Sequence, residues 1–324
     1  MKLFTNMLKS TAVAAVVMTA SVATAPAADI AVIAGSIEDG FFNLIKKGVD
    51  DATLVVEANG GSVNYLRTSN YDNFGPDLVQ LINTAVSQNV DGIAIPVWVP
   101  ESQVPALKAA AAKGIKIMIY NSGASIREEV SGINYFGSDE FVAGVAGGEY
   151  MAKNGAKNII CHIQSPGAVN LEARCKGVKE GAAKHGAIST NLPLPANLDQ
   201  NVTATSEAIK AELLKDPTID AVITLAAWAS DAAAVAIKQA GGPDKVKLGT
   251  FDMSPAVLAR IKDGTQSMAI DQQPYLQGFL ATSMLAAHID FGTELATDPV
   301  LTGPAIIDAS NIDTALAGVK KGAR

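Results

Sequence analysis

The chain has 324 residues, room for two domains of ordinary size, and 48% of them are hydrophobic against 18% charged, a globular composition with no disordered block. Its net charge is −7 and its lysines and arginines form no cluster, which argues against nucleic acid or an anionic membrane surface as partner. Aromatic residues are only 5% of the chain, so rings placed at loop edges carry weight.

The first residues read as an export signal. Lys2 and Lys9 bracket a charged start, Thr11 to Ala20 is a short apolar run, and Ala25-Pro26-Ala27 offers small residues for cleavage after Ala27. The apolar run is too short to span a bilayer, and no later run is long enough either, so a soluble periplasmic or extracellular protein is expected. Cys161 and Cys175 are the only cysteines, and both fall in the exported part. An oxidising compartment favours a disulfide between them, and two buried thiols are the other reading.

After the signal, Ile30 to Ala34 has the length and composition of a buried strand. The turn Gly35 to Gly40 follows, and a helix then places Phe42, Ile45, Val49 and Ala52 on one face. Phe41 and Phe42 are neighbours about 100° apart on that helix, so they cannot both face the core and at least one ring is expected at the mouth of a strand-end cleft. Ser62 to Arg67, Val90 to Ile95 and Ile115 to Tyr120 read as further strands, with helices from about Pro76 to Gln88 and Glu101 to Lys113 between them. Alternating strands and helices with short connections predict a parallel sheet covered on both faces.

The rhythm falters after Ala124 and restarts. Ile133 to Gly137 is extended, and Ser138 or Asp139 caps a helix to about Asn154. Strands follow at Asn158 to Ile163, Ala187 to Leu192, Ala221 to Leu225, Val246 to Phe251 and Ser267 to Asp271. Helices fall between them at Val169 to His185, Asn201 to Leu214, Ser230 to Ala240 and Pro255 to Lys262. This is a second α/β sheet of similar size. A long helix, about Pro274 to Ile289, and one extended segment, Val300 to Asp308, have no partners in this scheme, as segments crossing back between two domains would not.

Several short motifs occur in a telling order: Asp39-Gly40-Phe41-Phe42 with Gly48, Val90-Asp91-Gly92-Ile93, Gly137-Ser138-Asp139, Glu172-Ala173-Arg174 with Gly177, Gly249-Thr250-Phe251-Asp252, and Asp271-Gln272-Gln273-Pro274. In that order and spacing the chain resembles the ribose-binding type of periplasmic sugar-binding protein, the type I receptors of ABC importers, over its whole mature length. The resemblance implies an α/β fold of two similar lobes, each a mostly parallel sheet flanked by helices, joined by three crossover segments. Residues 1–27 are then the signal, 28–138 with 273–301 the first lobe, and 139–272 with 302–324 the second. It implies a ligand site at Asp39, Phe41, Phe42, Asn121, Arg174, Asp252 and Gln272. It departs from the family at Ser122, where ribose binders often have arginine, at Leu198 in place of an aromatic, and at Ala226-Ala227-Trp228, which lack an expected asparagine. Ribose is therefore replaced by a broader expectation of a monosaccharide, polyol or cyclitol.

The chemistry agrees with that class. Flat C–H faces of a sugar want aromatic rings, which Phe42, Trp98 and Trp228 supply, and hydroxyls want planar polar groups, which Asp39, Asn121, Arg174, Asp252 and Gln272 supply. The bland alternatives are a helix cap for Asp252, a solvated helix residue for Arg174, a turn for Asn121, and core packing for the rings. Asp39, Asp252 and Arg174 sum to −1, so sugar acids and sugar phosphates are expected to be rejected. An enzyme is the competing class, but no G-x-G-x-x-G follows the first strand, no G-x-S-x-G elbow or P-loop occurs, and His162, His185 and His288 lack metal-ligand spacing. No catalysis, cofactor or metal is expected. The expected partners of a monomer are the sugar and an inner-membrane permease, with presentation to a chemoreceptor as the alternative.

Overall fold

The computed structural model describes residues 27–324, so the expected signal lies, but for Ala27, outside the described residues. The first sheet is built from β1 (Asp29–Ala34), β2 (Ser62–Arg67), β3 (Gly92–Ile95), β4 (Lys116–Tyr120) and β5 (Gly132–Ser138), with α1 (Gly40–Ala58), α2 (Phe74–Ser87) and α3 (Pro100–Ala111) between the first four. β1, β3 and β4 are apolar and buried almost end to end, as strands covered on both faces must be.

The chain then leaves this sheet. After β5 come α4 (Glu140–Lys153), β6 (Asn158–Ile163), α5 (Val169–Ala183), β7 (Ile188–Pro193), α6 (Val202–Lys215), β8 (Ala221–Thr224), α7 (Ala227–Gln239), β9 (Lys247–Phe251), α8 (Pro255–Asp263) and β10 (Met268–Asp271). It returns through α9 (Pro274–Phe291), β11 (Val300–Gly303), β12 (Ala305–Ile307) and α10 (Ile312–Val319). The strand orders are β11-β5-β4-β3-β1-β2 and β12-β10-β9-β8-β6-β7. All pairs in the first sheet are parallel, and in the second only β12 runs antiparallel to its neighbour. This is the expected class: two mostly parallel α/β sheets of matching topology.

The two sheets are connected at three places: Ser138 to Glu140, Asp271 to Pro274, and Gly303 to Ala305. The extended segment expected at Val300 to Asp308 is two short strands, one in each sheet. Helix α7 starts at Ala227, three residues earlier than its apolar spacing suggests, so Trp228 sits in its first turn rather than in a loop. Helix α10 has no counterpart in the sequence reading; its Ile312 and Ala315 pack with Val257, Leu258 and Ile261 of α8.

Two glycines let helices approach closely. A side chain at Gly48 of α1 would run into the backbone of α9 at Tyr275, and one at Gly177 of α5 into the backbone of α4 at Phe141. The second contact matters for the site, because α5 carries Arg174. Cys161 of β6 and Cys175 of α5 are joined by a disulfide that ties this helix to its strand.

Candidate functional site

In a sheet ordered 2-1-3-4, the strand connections run to opposite faces on either side of the first strand and leave a crevice at its carboxyl end. Here each sheet has such a point, between β1 and β3 and between β6 and β8, and both open onto one cavity of about 440 Å³. Asp39 comes from the loop beyond β1, Phe41 and Phe42 from the first turn of α1 that follows it, and Trp98 from the loop beyond β3. Gln164 and Ser165 follow β6, and Leu225, Ala226 and Trp228 follow β8. Asn121 and Asp252 occupy equivalent places, directly after β4 and β9, and both adopt the left-handed conformation (φ 62° and 67°) that asparagine and aspartate tolerate best. All nine residues expected to contact ligand line this cavity.

The first sheet contributes an aromatic wall. Phe41 and Phe42 meet edge to face at 5.3 Å, Phe42 meets Trp98 at 5.5 Å, and Trp98 stacks on Phe74 at 5.1 Å. Tyr71 closes the row against Phe74. Phe42 is only 4% exposed and belongs to the first core cluster while also lining the cavity. Both rings line the cavity, in keeping with the expectation of at least one ring at the mouth, and the more buried Phe42 also packs in the core. Trp228 stands opposite, half-buried and edge-on to His162.

The polar groups form a connected chain. Arg174 is 3% exposed, so it is no solvated surface residue. Its Nε donates to Glu140 Oε2 at 2.5 Å, its guanidinium also donates to Gln272 Oε1 at 2.7 Å and to the Leu225 carbonyl at 3.2 Å, and its plane lies over the Phe251 ring. Gln272 Nε2 donates in turn to Asp252 Oδ1 at 2.5 Å. Asn121 Oδ1 accepts from Trp98 Nε1 at 3.2 Å, and its amide donates to Gln277 Oε1 at 3.1 Å. Gln277 then donates to the carbonyl of Gln272 at 3.0 Å. Helix α8 is capped by Ser254, which leaves Asp252 free of that duty.

Burial sets the electrostatics. It pushes the Asp39 carboxyl above its ordinary range, against the hydrogen bonds from Tyr71 Oη (2.8 Å) and Phe41 N–H (3.0 Å). It pushes Asp252 up to about 7, against the favourable charge of Arg174. Glu140 is raised for the same reason while its Arg174 partner opposes the shift.

Sequence reasoning misses Tyr71, Phe74, Gln164, Ser165, Asn170, Asp199 and Gln200, which also line the cavity. Gln164 and Ser165 carry a usable signal, since they are the first residues past a strand on the ligand side. Asp199 carries none, because it follows a single 3-10 turn, Ala196–Leu198, beyond an edge strand. In the sequence Glu140 is only part of a helix start, and its pairing with Arg174 is visible only in three dimensions. Among the described residues no group of His, Cys, Asp and Glu is arranged to hold a metal ion, and no helix is long and apolar enough to cross a membrane.

The model of the periplasmic binding protein domain matches residues 30–294. A carbohydrate transporter from Acidothermus cellulolyticus 11B, solved in complex with myo-inositol, is 34% identical, with 92% of this chain and 100% of that chain covered and a TM-score of 0.83. An ABC transporter solute-binding protein from Burkholderia graminis C4D1M, solved in complex with D-arabinose, is 26% identical, with 89% and 97% covered and a TM-score of 0.75. The xylose/arabinose-binding protein XylF of Sulfolobus acidocaldarius is 24% identical over 287 residues, 84% of this chain and 69% of that protein.

Proposed function

The chain belongs to the periplasmic binding protein family, and we propose on that premise that it is the solute-binding component of an ABC importer, holding one small uncharged carbohydrate between two hinged lobes. The observation that carries this reading is the cavity itself: an aromatic wall from the first sheet faces a hydrogen-bonded row of planar polar groups, Arg174, Gln272 and Asp252. Rings pack on sugar C–H faces, and carboxylate, amide and guanidinium groups each serve two hydroxyl-directed bonds. The ligand class is a monosaccharide, polyol or cyclitol, in keeping with the bound myo-inositol and D-arabinose of two relatives.

The lobes in this reading are residues 28–138 with 273–301 and residues 139–272 with 302–324, turning about the three connections. Export through the N-terminal signal puts the protein in the periplasm, where its partner is an inner-membrane permease.

A thermal-shift panel of myo-inositol, D-arabinose, D-xylose, D-glucose and acyclic polyols tests the class. A ligand at about 100 times its dissociation constant adds roughly 2.7 kcal/mol. Stabilisation by at least one member is expected. No shift with any of them sinks the reading, and product formation from a member that binds would replace it with an enzyme.

A further inference from the structure

One end of the cavity is acidic in a way that the sugar-binding reading alone does not require. Asp39 approaches it from the cap of α1, with Tyr71 beside it, and Asp199 approaches from the second lobe, in the loop before α6. Asp199 Oδ2 accepts from Ser165 Oγ at 3.0 Å and Oδ1 from Gln200 Nε2 at 3.0 Å, both neutral donors. Among the described residues the cavity's cations are already committed: Arg174 to Glu140 and Arg324 to Asp271. Arg67, behind Asp39, donates to the Asp39 and Ser36 carbonyls and not to the carboxylate. Asp231, at the edge of the cavity, is held by Arg260. Asp252, farther along, has Arg174 near it and Gln272 bonded to it. Asp199 therefore faces another carboxylate with no cation of its own.

The same cavity holds two further acceptors without a partner. Gln164 Oε1 and Asn170 Oδ1 make no hydrogen bond, although both side chains are more than nine-tenths buried. Such an atom costs free energy unless a donor arrives, so this cavity asks its occupant for donors. A neutral polyol has one donor per hydroxyl, and it has several carboxylates and amide oxygens to satisfy.

Resting on the sugar-binding reading, we propose that Asp199 is a ligand-contacting residue that carries a proton when a neutral carbohydrate fills the closed cleft, so that binding takes up a proton from solution. A protonated Asp199 stops repelling Asp39 across the cleft and adds a donor where acceptors are in excess. Burial already lifts this carboxyl to about 7, with Asp39 the next cause, so the proton is within reach at neutral pH. A sugar that expels water from the cavity favours the uncharged form further. Affinity then falls as pH rises through about 7, because the ionised carboxyl must be reprotonated before the cleft closes.

The test is calorimetry on whichever neutral member of the panel binds, at pH 6, 7 and 8 in buffers of different ionisation enthalpy. Proton uptake at pH 7 to 8 and a several-fold weaker affinity at pH 8 than at pH 6 are expected. Asp199→Asn should flatten that slope and remove the uptake, whereas Asp252→Asn should retain it. Uptake that is absent, or that survives in Asp199→Asn and vanishes in Asp252→Asn, overturns the assignment and leaves the sugar-binding reading standing. An amino sugar such as D-glucosamine that binds more tightly than its neutral counterpart and weakens toward pH 6 also overturns it, since the carboxylates would then be ionised. If no panel member binds, both readings fall. Uptake is measured on the native protein, so its absence overturns the proposal whether or not the variants fold.

Discussion

The backbone N–H of Val169 donates to the carbonyl of Trp98 at 3.0 Å, and this bond spans the cleft. Trp98 follows β3 of the first sheet, and Val169 is the first residue of α5 in the second. The two sheets are therefore bonded to each other beside the cavity as well as joined at their three connections. A proline is well tolerated at the first position of a helix, where the N–H has no intrahelical partner, and Ala168 before it already has an extended conformation (φ −71°, ψ 117°). Val169→Pro should thus delete one cross-cleft hydrogen bond and little else. The expected result is a loss of about 1 kcal/mol in ligand affinity, with a more open ligand-free particle by small-angle scattering and an unchanged melting temperature. Affinity equal to that of the native protein would show that the bond does not help to hold the cleft shut.

The aromatic wall separates binding from folding at one position but not at the next. Phe41 is half-buried beside Phe42 and lines the cavity, so Phe41→Ala should weaken sugar binding by more than about 1 kcal/mol with a small change in melting temperature. Phe42→Ala should do both: it empties a buried site beside Trp98, at roughly 3–5 kcal/mol of stability, and removes a ring from the wall. Calorimetric affinity paired with denaturant unfolding decides the matter. A Phe42→Ala protein of native stability would remove that ring from the core.

Much of this site is legible in the sequence alone, and the reason is topological. A βα rhythm identifies strand ends, and ligands of open α/β sheets bind at strand ends, so the rhythm points to the side on which the site lies. Asp39, Asn121, Arg174, Asp252 and Gln272 come from the family resemblance, and all five lie just past expected strands or at helix starts. What stays hidden is pairing between elements distant in sequence. Glu140 and Arg174 are 34 residues apart on neighbouring helices, and nothing local in either helix announces the contact. Asp199 belongs to an irregular loop with no periodicity to read. The charge of the site is misjudged from sequence for the same reason: Arg174 counts there as a free cation, whereas Glu140 already holds it.

The Cys161–Cys175 bond closes a loop with a sequence separation of 14. In the chain-entropy account a loop of that size adds about 3 kcal/mol. Protein isolated without reductant and then denatured should show no free thiol, and reduction should lower the unfolding midpoint. Two reactive thiols in the untreated protein would return both cysteines to the status of buried residues.

His162 is fully buried, neither ring nitrogen has a hydrogen-bond partner, and burial lowers its pKa to about 4. Its folded-state value lies below the unfolded 6.5, so the stability of the neutral form is present above about pH 6.5 and declines as pH falls toward 4. The full decline attributable to this ring is roughly 3 kcal/mol, because each tenfold loss of proton affinity on folding is worth about 1.4 kcal/mol. His162→Leu removes the proton site, so its stability relative to the native protein should improve between pH 7.5 and pH 4.5 in urea unfolding. A relative stability that does not change with pH would mean that the ring is protonated inside the fold.

The final prediction concerns which charges the cleft rejects. A sugar acid brings a carboxylate that needs a cation, and among the described residues both arginines lining the cavity are taken: Arg174, in the polar row, is bonded to Glu140 at 2.5 Å, and Arg324 to Asp271 at 2.8 Å. Asp39, Asp199 and Asp252 line the same cavity, where burial already penalises each ionised carboxyl, so a further buried negative charge incurs the same penalty and finds no partner. A neutral sugar brings no such charge, and its hydroxyls both donate to and accept from these carboxyls. Calorimetry on a sugar that binds and on its uronic acid should therefore show the acid weaker by at least about 3 kcal/mol, the scale of an uncompensated buried charge. Glu140→Gln supplies the internal control. It frees Arg174 from its partner while keeping a side chain of the same shape, so the gap between acid and sugar should narrow even if both bind less well. Tighter binding of the acid to the native protein would mean that the cleft offers a positive charge, and a gap untouched by Glu140→Gln would mean that Arg174 is not the group the acid lacks.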